Sequence, residues 1–292
     1  MSIQLKNNHI IVEILKNGAE LKSLKRIDDE IEYIWTADQA YWKRHAPVLF
    51  PIVGRVVNDQ YRVQEETYHL GQHGFARDMD FEVASQSEYQ VTFALKWNNG
   101  TLKVYPYKFE FFINYTIEHN KLSIEYTVKN VDDKLIYFSV GAHPGFNCPL
   151  TPDETFDDYY FEFEKNENAS ITLIDSNGTL KRKKEQYLTN QKIIELTEET
   201  FKNGALVFDH LESQSISLKS RKSDYSVQVN FEEFPFLGLW TLSGGAPFVC
   251  IEPWIGHADY SDFKGDFSKK EDQIHLDVSQ SFTRSFDISA NS

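Results

Sequence analysis

LSIEYTV, Leu122 to Val128, carries an apolar side chain at every second position: Leu122, Ile124, Tyr126 and Val128 share one face, and Ser123, Glu125 and Thr127 share the other. Successive side chains leave a pleated backbone on opposite sides, so a period of two marks a strand with one face buried and one wet. A helix would place its apolar residues three and four apart. YSVQVNF repeats the pattern, with Tyr225, Val227, Val229 and Phe231 set against Ser226, Gln228 and Asn230. Half-buried strands of this kind pair antiparallel.

The connections agree with the strands. Asn-Gly pairs stand at Asn17-Gly18, Asn99-Gly100, Asn177-Gly178 and Asn203-Gly204, and this dipeptide tolerates the positive φ angles of a tight hairpin turn. Stripes of helical period are scarce. Short helices are expected only near TEETFKNG (197–204) and around TADQAYWKRH (36–45). KRKK (181–184) lies in polar surroundings and reads as a solvated loop. No repeat or Pro/Gly/Ser-rich linker divides the chain. The expectation is an all-β fold: one large antiparallel β-sandwich domain over residues 1–292, with few short helices.

The 22 Phe and 15 Tyr among 292 residues suit strands and supply a core that needs no disulfide. A net charge of −14 argues against nucleic acid as a partner, since phosphate binding needs a basic surface, though it leaves room for a local basic pocket. Cys148 and Cys250 sit beside apolar or Pro/Gly stretches and read as buried, reduced thiols. The opening MSIQLKNNHIIVEI is not built like a secretory leader. No apolar run approaches the roughly 20 residues of a membrane helix. The expected setting is a soluble, cytoplasmic one, away from membranes.

Four stretches depart from the regular alternation: APVLFPIVGRV, which delivers Gly54 and Arg55; GQHGFARD, with His73 between glycines and Arg77 behind it; SVGAHPGFNC, with His143; and FVCIEPWIGH, with Glu252 inside an apolar strand. In the last, Phe248, Cys250, Glu252 and Trp254 share one face and Val249 and Ile251 the other, so both faces are apolar. A carboxylate there must be paired, hydrogen-bonded or open to a cavity. It either bridges to a buried arginine such as Arg55 or does chemistry. His73 and His143, each in a Gly-rich turn, are either hydrogen-bonded loop residues or acid–base groups. His143 follows a strand and precedes Pro144-Gly145, a poor place to build core and a good one to meet a small ligand. The other histidines (His9, His45, His69, His119, His210, His257 and His275) show no comparable setting. No zinc motif, phosphate loop, dinucleotide fingerprint or nucleophile elbow is present, so no metal, cofactor or covalent intermediate is expected.

PVLFPIVGRV, HGFARD, AHPGFN and IEPW occur in the order and at the spacing of the aldose 1-epimerases, or galactose mutarotase-like proteins, and the chain resembles that family, in particular its LacX-type branch. The resemblance implies a large β-sandwich, the supersandwich of that family, with a sugar on its concave face. It implies Glu252 as general base, His143 as general acid, and His73 and Arg55 as sugar-binding residues. Asp209, in LVFDH, resembles the family's aspartate that orients a sugar hydroxyl; read on its own it is an ordinary strand-end residue. Trp240 and Trp254 are either stacking platforms or core. The implied reaction interconverts the α and β anomers of an aldohexose through ring opening, with a small sugar as the only partner. A hexose 6-phosphate held by Arg77, or a non-catalytic sugar-binding protein on the same fold, are the alternatives. His143 as the acid is expected to set an alkaline limb of the pH profile near the histidine reference pKa of about 6.5, shifted by its surroundings.

Overall fold

The computed structural model describes residues 1–292, and antiparallel strands account for nearly all of its regular structure. A three-stranded sheet, Ser2–Lys6, Ile10–Leu15 and Leu21–Arg26, opens the chain. A 15-stranded sheet follows. One half of its path runs Val48–Leu49, Val140–Ala142, Phe248–Ile255, Phe236–Trp240, Leu206–Asp209 and Tyr159–Ile174. The other runs Ser215–Ser220, Ser226–Asn230, Ser281–Asn291, Lys121–Asn130, Phe109–Glu118, Gln90–Lys96 and Glu82–Gln86. Every pairing between these strands is antiparallel. The architecture is the large β-sandwich expected from the alternation.

Lys121–Asn130 shows why. Leu122, Ile124, Tyr126 and Val128 are buried while Ser123, Glu125 and Thr127 stay partly exposed. The strand pairs on one side with Phe109–Glu118 and on the other with Ser281–Asn291. Their inward faces join one core cluster of 65 buried residues that runs from Leu5 to Ala290.

The two expected helices are absent. Residues 36–45 and 197–204 form turns, and the only helical pieces are five single-turn 3₁₀ segments. KRKK is exposed as expected, but on the strand Leu180–Glu195 rather than in a loop. That strand and Tyr159–Ile174 form the longest hairpin, turned by Asn177-Gly178 with Gly178 at φ +81°. Asn17-Gly18 also turns a hairpin. Asn203-Gly204 instead links two strands that do not pair, and Asn99-Gly100 opens a 3₁₀ turn with φ at Gly100 of −74°. No helix is long and apolar enough to cross a membrane. Both cysteines are free and buried.

Candidate active site

Phe248–Ile255 is buried along its whole length, but its two faces serve different purposes. Val249 and Ile251 enter the main core. On the other face Cys250 and Phe248 join a small apolar cluster with Trp35, and Trp254 joins another with Val207 and Phe236. Glu252 stands between these two clusters, 2% exposed.

Its neighbour follows from strand register. Val140–Ala142 and Gly145–Asn147 both pair with this one strand, Gly141 opposite Trp254 and Gly145 opposite Cys250. The two ladders keep the same register, so His143 between them falls opposite Glu252. His143 Nε2 lies 3.2 Å from Glu252 Oε2. On the other flank the residue opposite Glu252 is Gly238. A Cβ there would sit 2.6 Å from the Trp254 indole, and one at Gly141 would sit 2.7 Å from it. These glycines let the indole lie across three strands beside the carboxylate. Pro144 holds the break in place, its carbonyl accepting from Ile251 N–H at 3.3 Å.

His73 arrives from a different layer. It adopts φ +67°, and its backbone N–H donates to the Gly54 carbonyl at 2.8 Å. The Gly54 N–H donates back to His73 Nδ1 at 3.1 Å, which puts the ring proton on Nε2. The His73 and His143 rings meet edge to face at 5.6 Å. Trp42 covers His143 at 4.9 Å and Trp240 meets its edge at 5.5 Å.

These groups line one cavity of about 370 Å³, shared with Gln72, Arg77, Trp254, His257, Gly178 and Val207 among others. The loop that carries His257 and Ala258 is held by a buried ion pair. Lys270 Nζ lies 2.7 Å from Asp259 Oδ1, while Asp259 Oδ2 accepts from Val57 N–H at 3.0 Å. This ties the Gly54–Arg55 loop to the one carrying His257 and Ala258.

The electrostatics come mainly from burial. Burial pushes the Glu252 carboxyl well above the ordinary carboxylate range, with the Trp254 indole N–H opposing it. Burial lowers His143 to about 3, reinforced by Arg77 and Arg44 against the opposing pull of its own backbone. His73 is held well below its ordinary value by burial first and then by His143. Both shifts disfavour the charged forms, so burial favours a protonated carboxyl beside a neutral imidazole. The 3.2 Å contact lacks the alignment of a hydrogen bond, leaving Glu252 Oε2 and His143 Nδ1 buried without partners. Donor atoms of His143, Glu252 and Cys250 lie within 4.8 Å of one another, the one grouping of residues that could hold a metal ion.

Of the residues singled out from sequence, Glu252, His143 and His73 meet around the cavity, and Arg77 joins them. Glu252 does not bridge to Arg55. That arginine is half-exposed, 3.4 Å from Asp59, and lines an adjoining cleft on the far side of Gly178. Asp209 is ion-paired with Lys184 at the end of its strand and does not line the cavity. The cavity residues not singled out from sequence include Trp42, Gln72 and His257. His257 stands at the end of FVCIEPWIGH, directly after Gly256. Its Nδ1 meets the Ala258 carbonyl at 2.6 Å and its Nε2 meets Asp272 at 3.1 Å.

The sequence profile of the family described as Aldose 1-epimerase matches residues 1–275. The plasmid-borne LacX protein of Lactococcus lactis subsp. lactis is 39% identical over 264 residues, 88% of each chain. The structure of a galactose mutarotase related enzyme from Lactobacillus acidophilus superposes with a TM-score of 0.95 at 39% identity, covering 100% of this chain and 98% of that one. A galactose mutarotase-like protein from Lactobacillus casei superposes with a TM-score of 0.94 at 33% identity, covering 99% and 100%.

Proposed function

The chain belongs to the aldose 1-epimerase family of isomerases, and on that premise we propose that it interconverts the α and β anomers of a free aldohexose by acid–base ring opening. The observation that carries this reading is the Glu252–His143 contact of 3.2 Å at the wall of a cavity of about 370 Å³. Glu252 takes the proton of the C1 hydroxyl and His143 delivers one to the ring oxygen. The C1–O5 bond breaks, the C1–C2 bond rotates, and closure with the proton roles reversed yields the other anomer. The pair begins ring opening as carboxylate and imidazolium and ends it as carboxylic acid and neutral imidazole. Its net charge is zero throughout, so no step creates an isolated buried charge.

The resting pair has the second of these patterns, the one that suits closure of an open-chain sugar. One proton shift between Nε2 and Oε2 converts it to the pattern that suits ring opening. His73, with its proton on Nε2, offers a hydrogen bond to a sugar hydroxyl. Trp42, Trp240 and Trp254 offer apolar faces to the sugar's C–H surface. Arg55, in the adjoining cleft, and Asp209, beyond the lining, would need a sugar that reaches past the cavity.

A hexose 6-phosphate is the second reading. Arg77 favours it: the residue lines the cavity, its Nε is buried without a hydrogen bond, 3.7 Å from Asp78 Oδ2, and its Nη2 donates to the Gln72 carbonyl at 2.6 Å. Polarimetry on freshly dissolved α-glucose, α-galactose and α-glucose 6-phosphate separates the readings. Acceleration with a free hexose supports the first reading. Acceleration with the phosphate alone supports the second, and binding without acceleration supports a non-catalytic sugar-binding protein.

A further inference from the structure

Cys250 is the functional group beside the acid–base pair for which the proposed reaction has no use. It is fully buried and precedes Glu252 by two residues on the same face of the strand, opposite Gly145. Its sulfur, a ring nitrogen of His143 and a carboxylate oxygen of Glu252 all lie within 4.8 Å of one another. Two atoms of that group, Glu252 Oε2 and His143 Nδ1, are buried with no hydrogen-bond partner. Buried polar atoms without partners are uncommon and each calls for a cause. The proposed reaction has no use for the thiol.

We propose that Cys250, His143 and Glu252 form a binding site for a thiophilic divalent cation of the zinc or cadmium kind, and that the bound cation excludes the sugar. The ligand chemistry is mixed sulfur, imidazole nitrogen and carboxylate oxygen, which suits zinc-like ions and not magnesium or calcium, whose shells are built from oxygen. The charges balance: a thiolate and a carboxylate neutralise a divalent ion, with His143 neutral. On binding, the thiol and the acid–base pair each release one proton to solvent. No redox partner is required.

Distances fit with a small adjustment. Bonds of about 2.0–2.1 Å to nitrogen and oxygen and about 2.3 Å to sulfur set tetrahedral ligand atoms roughly 3.3–3.6 Å apart. His143 Nε2 and Glu252 Oε2 already stand at 3.2 Å. The sulfur has to close the remainder by rotation about its own Cα–Cβ bond. The fourth position then faces the cavity and takes a water. The cation occupies the two atoms through which the sugar's protons must pass, so it inhibits in competition with sugar.

The consequence for activity rests on the proposed epimerase reaction; the binding does not. Cadmium titrated into EDTA-treated protein should raise an ultraviolet sulfur-to-cadmium charge-transfer band that saturates at one ion per chain. Zinc should inhibit mutarotation competitively with sugar, with reversal by EDTA. Cys250→Ala should keep its basal turnover and lose the band. It should also weaken zinc inhibition by roughly 10–100-fold or more, since even partners behind a ligand contribute that much. Cys148→Ala should keep both. If Cys250→Ala does not fold by circular dichroism, Cys250→Ser, the closer isostere, takes its place. No band, a band that survives loss of Cys250, or equal zinc inhibition in parent and variant would overturn the site. Should the protein accelerate no anomerisation at all, the cadmium band and its dependence on Cys250 still decide the matter.

Discussion

Replacing Glu252 with glutamine should damage the catalyst and strengthen the fold, and the second effect should depend on pH in a calculable way. Burial raises the folded-state pKa of Glu252 well above its ordinary value of 4.5. Above that value the unfolded chain gives up the carboxyl proton and the folded chain keeps it. The folded state then binds more protons than the unfolded, so this residue's contribution to stability is fully present below about pH 4.5 and is lost as pH rises toward the folded pKa. Each pH unit in that window removes about 1.4 kcal/mol. Glutamine does not titrate and loses nothing. The stability of Glu252→Gln relative to the parent should therefore climb as pH rises from about 4.5 toward the folded pKa.

His143 stands 3.2 Å from the carboxyl and titrates together with it, so the comparison reads the linkage of the pair. Urea unfolding of the two proteins at a series of pH values measures the difference directly, with circular dichroism at each pH as a check on the native state. A stability difference independent of pH would refute the claim that the fold holds Glu252 protonated. Polarimetry on the same samples tests the chemical role. Turnover should fall by about 10² to 10⁴-fold, the scale for loss of a general base. Near-normal turnover in folded Glu252→Gln would remove Glu252 as the base.

His143→Asn should lower kcat with little change in KM, while His73→Asn should raise KM and cost kcat less, because proton transfer is made only in the transition state and sugar binding in both states; the opposite split would exchange their roles. With His143 depressed to about 3 and Glu252 raised, the pair keeps one proton over a broad range, so kcat should show a wide plateau with its acid limb well below pH 6.5, read from the pH profile of the parent. Activity should not fall on treatment with EDTA; a loss restored by one divalent ion would make a metal part of the catalyst. Lys270→Ala, which leaves Asp259 buried and unpaired, should cost about 3–5 kcal/mol in urea unfolding, and a cost under about 1 kcal/mol would mean that Asp259 is relieved by protonation or water.

The strands were legible because one face of each is wet, and a period of two survives without knowledge of the partner strand. The two missed helices failed for a local reason. In TADQAYWKRH the Trp42 carbonyl accepts from the Trp35 indole at 2.8 Å and the Asp38 carboxylate takes the Ala40 N–H at 2.9 Å. In TEETFKNG the Thr200 hydroxyl binds the Glu195 carbonyl at 2.8 Å and takes the Thr197 N–H at 3.1 Å. Side chains occupy the backbone groups that a helical ladder would use, and the segments stop at a turn. The site was legible residue by residue but not as pairs. Glu252 stood out as a carboxylate between apolar neighbours, and that oddity is a property of one strand. Arg55 was its natural partner by charge, yet charge does not determine which strand lies beside which. Register does. Two short strands broken by His143-Pro144 pair with the same neighbour in a single register, and only then does His143 face Glu252. Trp42 and Gln72 reach the cavity from loops, where no period reports the direction of a side chain. His257 follows Gly256 at the end of the same strand that carries Glu252, a position the sequence shows but whose direction the strand period no longer reports. What the sequence carried was the chemistry of each group, and what the fold added was the 3.2 Å that turns two costly buried side chains into a neutral pair able to pass a proton.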